Sequence, residues 1–424
     1  MAQTSANLAA IRKEIYTQDT LEKMFYAETP VLDRFERTNK YTMGRYVRVP
    51  IWSYFGNGTT VLGAGGGQFS PDDAQDVQVA DYTLSYVWNP IGLEFGALNE
   101  VGGGAASVGD ALTLETEGAM IGLRRHAMRI AGGVGNGAIA RVTSANVGPT
   151  ITLDPNRTAT TPPGNHAVSA GFLSPGNYVQ IGAAPNGQNK TTTANPAGSA
   201  YNGRVIVDVV EDDASPQIIL NAAADGATAA GDIVTLAHPA GPPTEFAGLR
   251  AIAGSTVPIG GLDPTVNGQR FWQPAFVDTT TTVYSLDLPL LLQRKVRSKT
   301  RKTPSWFVTS LKQAANHYSL LQTQVHFGGD MGLTAGADQK AGWNGLEFTA
   351  DPDIPDNELY LLDPQAFIIA TGKYTKPVWK SDVQGVNTGL DSVIGASGFK
   401  DALVYAFCLG IRRRNTTASA QALT

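Results

Sequence analysis

The 424-residue sequence holds a single cysteine, Cys408, which excludes a disulfide within the chain and any zinc site built on cysteine pairs. Cys408 lies in the apolar run Leu403-Val-Tyr-Ala-Phe-Cys-Leu409, where a buried structural thiol is expected instead of a nucleophile. Charge is scarce: Asp, Glu, Lys and Arg make up 16% of the residues, with a net charge of −5. Tight nucleic-acid binding needs clustered cations against the phosphates, so the chain as a whole does not read as a nucleic-acid binder. No stretch approaches the roughly 18 apolar residues of a membrane-spanning helix. The first ten residues show no basic segment followed by an apolar one, so no signal peptide is expected. The protein is expected to be soluble and made in a reducing cytoplasm, and the sequons at Asn57, Asn156 and Asn189 are then chance matches.

Catalytic signatures are equally sparse. The five histidines, His126, His166, His238, His317 and His326, show no ligand spacing within one helix. There is no Gly-x-Ser-x-Gly elbow and no phosphate loop, and the glycine clusters at 63–67, 102–104 and 132–137 lack the flanking pattern of a dinucleotide fold. The carboxylate pairs Asp72-Asp73 and Asp212-Asp213 fall in loop-like stretches, where solvation is the ordinary role. Asp351, Asp353, Asp356 and Glu358 imitate a calcium loop, but their spacing fits no EF-hand and two prolines interrupt it, so a turn is expected. No enzyme activity, cofactor or metal is expected.

What the sequence does hold is 47 glycines and 24 prolines, the mark of many short strands and turns. Residues up to about 40 carry scattered apolar positions (Leu21, Met24, Phe25, Val31, Leu32, Phe35), enough for a short helix in an arm that lies against something else. Tyr46–Trp52 and Asp81–Trp88 alternate as strands around a glycine-rich stretch, which predicts a long two-stranded ribbon. Such a ribbon is marginal alone in water, and no local surface for it is evident. Between Arg48 and Arg124 there is no Lys or Arg, while Asp72, Asp73, Asp76, Asp81, Glu94 and Glu100 are acidic. That segment is either a solvated acidic loop or a surface that docks on a basic neighbour.

Ser107 to about Ala131 predicts a long helix, with Ser107 and Asp110 as candidate caps, early glutamates, late arginines and one apolar face. Residues 139–238 read as a separate β-rich module, a small barrel or sandwich, with a rough internal repeat. In that repeat Arg141-Val142, Thr150–Leu153 and Gly176–Ile181 recur as Arg204-Val205, Gln217–Leu220 and Gly231–Leu236. Further on, Asp287–Val296 predicts a helix capped by Asp287, Trp306–Thr309 a strand, and Ser310-Leu-Lys-Gln313 a capping box. Strands are expected at Leu346–Asp351, Glu358–Leu362 and Ala402–Arg412, followed by a polar tail. The cations Arg294, Lys295, Arg297, Lys299, Arg301 and Lys302 form a solvated face or a docking site.

The order of these elements resembles the HK97-type major capsid proteins of tailed bacteriophages. Gly133-Val-Gly-Asn-Gly137 with Ala247-Gly-Leu249 resembles that family's glycine-rich loop, split here by the β-rich module. Gly342–Ala350, a prolyl turn and Leu359–Asp363 resemble its late strand-turn-strand signature, and Leu403–Arg414 its closing strand. The resemblance covers about three quarters of the chain, and it implies an α+β capsid fold. Its parts would be an N-terminal arm (1–39), an extended loop (40–100), a peripheral domain with the spine helix (101–135) and the β-rich insertion (136–245). A return to the peripheral domain (246–283), an axial domain (284–378) and a closing peripheral strand and tail (379–424) would follow. It also implies hexamers and pentamers tiling an icosahedral shell around loosely held double-stranded DNA. A portal, with any separate scaffold or decoration proteins, would be the partners, and assembly would take place in the host bacterial cytoplasm.

Inter-subunit contacts are expected at Trp52, Tyr54, Phe55, Phe69, Asp72, Asp73 and Asp76 on the ribbon, and at the six cations of 294–302. An encapsulin-type compartment shares the implied fold and is one alternative; a β-rich adhesion or tail protein is another, which leaves the long helix and closing strand unexplained. Some relatives join a lysine of the extended loop to a neighbour's asparagine, but no lysine lies between Lys40 and Lys190 here. Assembled chain boiled in detergent is therefore expected to run as a 44.7 kDa monomer on a denaturing gel; a ladder of covalent multimers would contradict this.

Overall fold

The apolar run around Cys408 forms the strand Gly398–Ile411, onto which other segments pair at both edges. The computed structural model describes residues 18–26, 29–54, 76–94, 105–145, 148–155, 161, 163–183, 204–223, 228–236, 245–254, 257–278, 283–304, 306–324, 341–343, 346–372, 376–379, 398–421 and 423. On one edge of that strand Ser85–Glu94 runs antiparallel, from Gly398 opposite Glu94 to Phe407 opposite Ser85. The other edge takes Val378–Trp379 and Phe367–Thr371, and the latter takes Glu36–Thr38 in parallel. Leu403, Val404, Tyr405, Phe407, Cys408, Leu409 and Ile411 are all buried, so the strand is covered on both faces. Burial pushes the Cys408 thiol up to about 12, which leaves it protonated and unreactive.

The long helix, Ala105–Gly132, lies across Ser85–Glu94, where Asn89 Nδ2 donates to the Ala119 carbonyl at 2.7 Å. It begins ahead of Ser107, so Ser107 and Asp110 lie within its first turns instead of capping it. Its apolar face (Ala119, Leu123, Ala127, Ile130) enters the main core. Two further expectations change here. The described part of the N-terminal segment packs on its own chain: Tyr26 and Tyr405 share a hydroxyl hydrogen bond of 2.6 Å, and Phe35 stacks on Phe367 at 4.7 Å. A few apolar residues suffice because the terminal strands offer them a row of aromatic rings. The ribbon of Tyr46–Tyr54 and Asp76–Thr83 also finds a surface within the chain. Val47, Val49, Ile51, Ala80 and Tyr82 face the core, Asp81 N–H donates to the Gly260 carbonyl at 3.0 Å, and the Tyr82 hydroxyl to the Ile411 carbonyl at 3.0 Å. That surface comes from segments distant in sequence, which local pattern cannot reveal.

A second sheet is ordered Ala275–Asp278, Ala418–Gln421, Glu358–Leu362, Trp306–Thr309, Leu346–Ala350, Ala341–Trp343. The expected polar tail is thus in large part an inner strand, Ala418–Gln421, parallel to Ala275–Asp278 and antiparallel to Glu358–Leu362. Small side chains fit it beneath the helix Leu249–Gly254, where the Ser419 hydroxyl donates to the Ala253 carbonyl at 3.0 Å. The capping box is formed on the serine side, with Gln313 N–H on Ser310 Oγ at 3.2 Å at the start of the helix Leu311–Gln324. Asp287 opens its helix from inside the first turn, with no side-chain cap at the preceding Leu286.

The described residues between 140 and 236 form a closed six-stranded barrel with its own apolar interior. The sheet Ala140–Arg141, Ile233–Leu236, Tyr178–Gly182, Arg204–Val210, Gln217–Leu220, Thr150–Thr152 closes through the antiparallel bridge Val142 to Leu153. Two strands of the sequence repeat pair with their own counterparts: Ile151 lies opposite Ile218, and Ile181 opposite Val234. The third pair, Ala140–Arg141 and Arg204–Val210, holds equivalent places on opposite sides of the closed sheet. The barrel is therefore a three-strand unit doubled about a pseudo-twofold axis. At its neck the outgoing and returning segments touch. A Cβ on Gly248 would sit 2.4 Å from the Ala131 carbonyl oxygen, and the buried pair Arg129–Glu245 (7% and 8% exposed) locks the two together.

Arg414 closes the body. Its buried guanidinium donates to the carbonyls of Ala251 (2.9 Å), Ile252 (2.9 Å) and Val257 (3.0 Å). The first two belong to the last turn of the helix Leu249–Gly254, where carbonyls lack helical partners and a cation is favoured. Burial lowers its pKa to about 10, so it stays charged at neutral pH. Arg414→Met is expected to lower stability by about 3–5 kcal/mol in urea unfolding, because the buried carbonyls of Ala251 and Ile252 lose their donor and Val257 loses its tie to the helix; a loss under about 1 kcal/mol would contradict this role.

Candidate assembly surface

The ribbon buries one face and exposes the other. Trp52 (60% exposed) lies directly opposite Val77 (48%), and Pro50 opposite Val79 (50%), so strand pairing places four apolar side chains together in solvent. The Arg48–Asp81 pair, at 3.3 Å, borders this patch. Asp76 sits at the far end, where its carboxylate accepts from the Ser53 hydroxyl at 2.5 Å. Tyr54 pairs with Asp76 in the strand register. Phe55, Phe69, Asp72 and Asp73 lie outside the described residues. Tyr86 and Trp88 extend the exposed aromatic surface onto the next strand. Sequence reading passed over Val77 and Val79, although their alternation with Ala80 and Tyr82 carries the signal.

The six cations expected to act together fall on one helix, Asp287–Thr300, and its end. Arg294, Lys295, Arg297, Lys299 and Arg301 are exposed and make no ion pair among the described residues. Many other cations are paired: Arg34 with Glu347, Arg37 with Glu22 and Asp33, Arg250 with Glu358, Arg412 with Glu36. Lys295 reaches the Phe276 carbonyl at 3.5 Å, and Lys302 lies 3.6 Å from Asp363. Burial and the neighbouring Lys295 both push the Lys299 ammonium below its usual range. No ion pair among the described residues joins this helix to Asp76 or Asp81.

Lys302 leads into a groove of about 580 Å³ that also contains Arg34, Glu36, Asp363, Arg412 and Arg413. The lining cations come from segments far apart in sequence, which hid the groove from motif reading. Among the described residues no group of three or more His, Cys, Asp and Glu side chains is placed to hold a metal ion. His317 is a packed core side chain, with its Nδ1 on the Tyr284 hydroxyl at 2.8 Å.

Arg301 ends the basic helix in the left-handed region, φ 57°, where glycine is the usual residue. A side chain there costs about 1 kcal/mol, so Arg301→Gly is expected to raise unfolding stability by roughly that amount while removing one surface cation. A destabilised variant in urea titration would contradict the strain.

No protein-family model matches the chain, and no curated protein matches it in sequence. Solved structures do. The cyanophage A-1(L) capsid asymmetric unit is 12% identical over 94% of this chain and 93% of that chain, with a TM-score of 0.50. The capsid of an empty GTA particle is 10% identical over 93% and 90%, at 0.41. A virus-like particle from Pyrococcus furiosus is 7% identical over 95% and 98%, at 0.36. With nearly the full length of both chains superposed on the cyanophage subunit, this chain has an α+β capsid fold.

Proposed function

We propose that the chain is the major capsid protein of a tailed bacteriophage, assembling into hexamers and pentamers of an icosahedral shell around double-stranded DNA. The observation that carries this is a capsid fold over nearly the whole chain, joined to two unlike exposed surfaces. An apolar, acid-flanked ribbon and a helix whose cations make no ion pair among the described residues are complementary to each other, not to themselves. Such patches make head-to-tail contacts, which close into rings. The fold parts follow the HK97-type plan: an arm to about residue 39, the ribbon as the extended loop to 100, and the long helix as the spine to 135. The barrel, 136–245, is then an insertion whose neck leaves the peripheral core uninterrupted through 246–283. Most of the second sheet belongs to the axial domain, 284–378, and it is joined by Ala275–Asp278 and, beside that strand, by the chain's end at Ala418–Gln421, while Phe367–Thr371 and Val378–Trp379 pair with the closing peripheral strand of the segment 379–424.

The shell is held without lysine–asparagine bonds, and the net negative charge suits a wall that encloses DNA without gripping it. A portal is the partner this reading calls for, and any scaffold or decoration protein would be a separate chain. A β-rich tail or adhesion protein accounts for the barrel alone. Charge reversal tests the contact. Arg297→Glu with Lys299→Glu is expected to leave the circular dichroism spectrum unchanged and to abolish particles in sedimentation velocity. Adding Asp72→Arg and Asp73→Arg should restore them. Full assembly by the first double variant would overturn the pairing.

A further inference from the structure

The barrel touches the body at a second place besides its neck. On the helix Gly164–Ser169 and the turn after it, His166 Nε2 lies 3.2 Å from the Asp353 carbonyl, and Gly171 stands against the Arg125 guanidinium, whose nearest nitrogen is 2.8 Å from where a Cβ would be. The facing turn, 351–357, is folded by Asp351 Oδ1 accepting from Asp353 N–H at 2.9 Å. Asp351 and His166 are buried, and the second Asp351 oxygen, Oδ2, has no hydrogen-bond partner. Asp353 thus lies within the field of the long helix's Arg124 and Arg125, and Arg125 in turn stands against Gly171 of the barrel, where two separately cored units join.

We propose that this junction is a proton-operated latch: with Asp351 and Asp353 protonated the barrel sits on the long helix and the turn, and with both ionised the junction loosens and the barrel swings on its neck. Burial, then repulsion from Asp351, push Asp353 up to about 7 against the pull of Arg124 and Arg125. Burial pushes Asp351 up to about 6, against the Asp353 N–H bond. An opened junction exposes both carboxyls to water and returns them toward ordinary carboxylate behaviour, so closing takes up protons and is favoured as pH falls through 7. His166 opposes this. Burial holds its pKa down, with Arg250 acting the same way and the Asp353 carbonyl, Glu358 and Asp356 acting the other way. Closing therefore expels a proton from His166 below pH 6.5, its ordinary value. His126 faces Arg129 and Arg125 and, chiefly through burial, is held down to about 4, so it stays neutral throughout the window.

Hydrogen exchange of the full-length chain at pH 6 and pH 8, corrected for the intrinsic rate at each pH, tests the latch. Segments 164–173 and 351–358 should lose protection together by about fivefold on going to pH 8, with two carboxyl gains partly offset by the histidine. His166→Gln keeps a donor for the Asp353 carbonyl but does not titrate, and should widen the change to about twentyfold. Asp353→Asn should abolish the loss, leaving the histidine to turn it into a gain of about twofold in protection at pH 8, with the barrel kept seated. Segment 249–254, in the body, serves as the folding control for each variant. Protection that does not vary with pH in the unmodified chain, a change in only one of the two segments, or an unaltered response in Asp353→Asn would each overturn the proposal.

Discussion

The body of this protein depends on a strand that lies near the end of its sequence and has to be satisfied on every side. From Ala402 to Ile411 the strand Gly398–Ile411 is largely buried, with partners along 398–407 on one edge and at 403–404 and 407–411 on the other, so its buried backbone groups cannot fall back on water. Its partners come from 85–94, 367–371 and 378–379, with 36–38 added beyond. The core therefore closes only when residues from both ends of the chain are in place, and such non-local pairing makes for slow, highly cooperative folding. Arg414 extends the constraint by joining the end of that strand to the helix at 249–254, on the far side of the barrel in sequence.

This organisation explains what could be read in advance. Elements with a local signature were legible: the helix 105–132 from its apolar face and charge gradient, the helix at 311 from Ser310 and Gln313, the ribbon from alternation, and the barrel from its turns and repeat. Features set by distant partners were not. Ala418–Gln421 carries no apolar signature, because its environment is a tight slot for small residues. The support of the ribbon by Gly260 and Ile411, and the docking of Phe25 on Tyr405 and Phe35 on Phe367, are tertiary facts without a local pattern. Of the contact residues, the cations of 294–302 were visible as a charge run and Trp52 as the outward member of an alternating strand. The apolar partners Val77 and Val79 needed the strand register to appear.

The barrel stands apart in energetic terms. It has its own apolar interior and closes on itself, so it contributes little to the main core beyond its neck and the His166 junction. The neck is built for permanence, with glycine-tight backbone contact and a buried ion pair, whereas the junction holds two carboxyls whose burial favours the protonated form. A unit attached firmly at one point and conditionally at another can change its angle without disturbing the fold beneath it.

The central claim, that unlike surfaces on one chain close it into a shell, is tested most directly by electron microscopy of the purified protein alone at neutral pH. The account predicts closed particles of uniform diameter with fivefold vertices. Monomers at high concentration, or open fibres in place of closed shells, would contradict it.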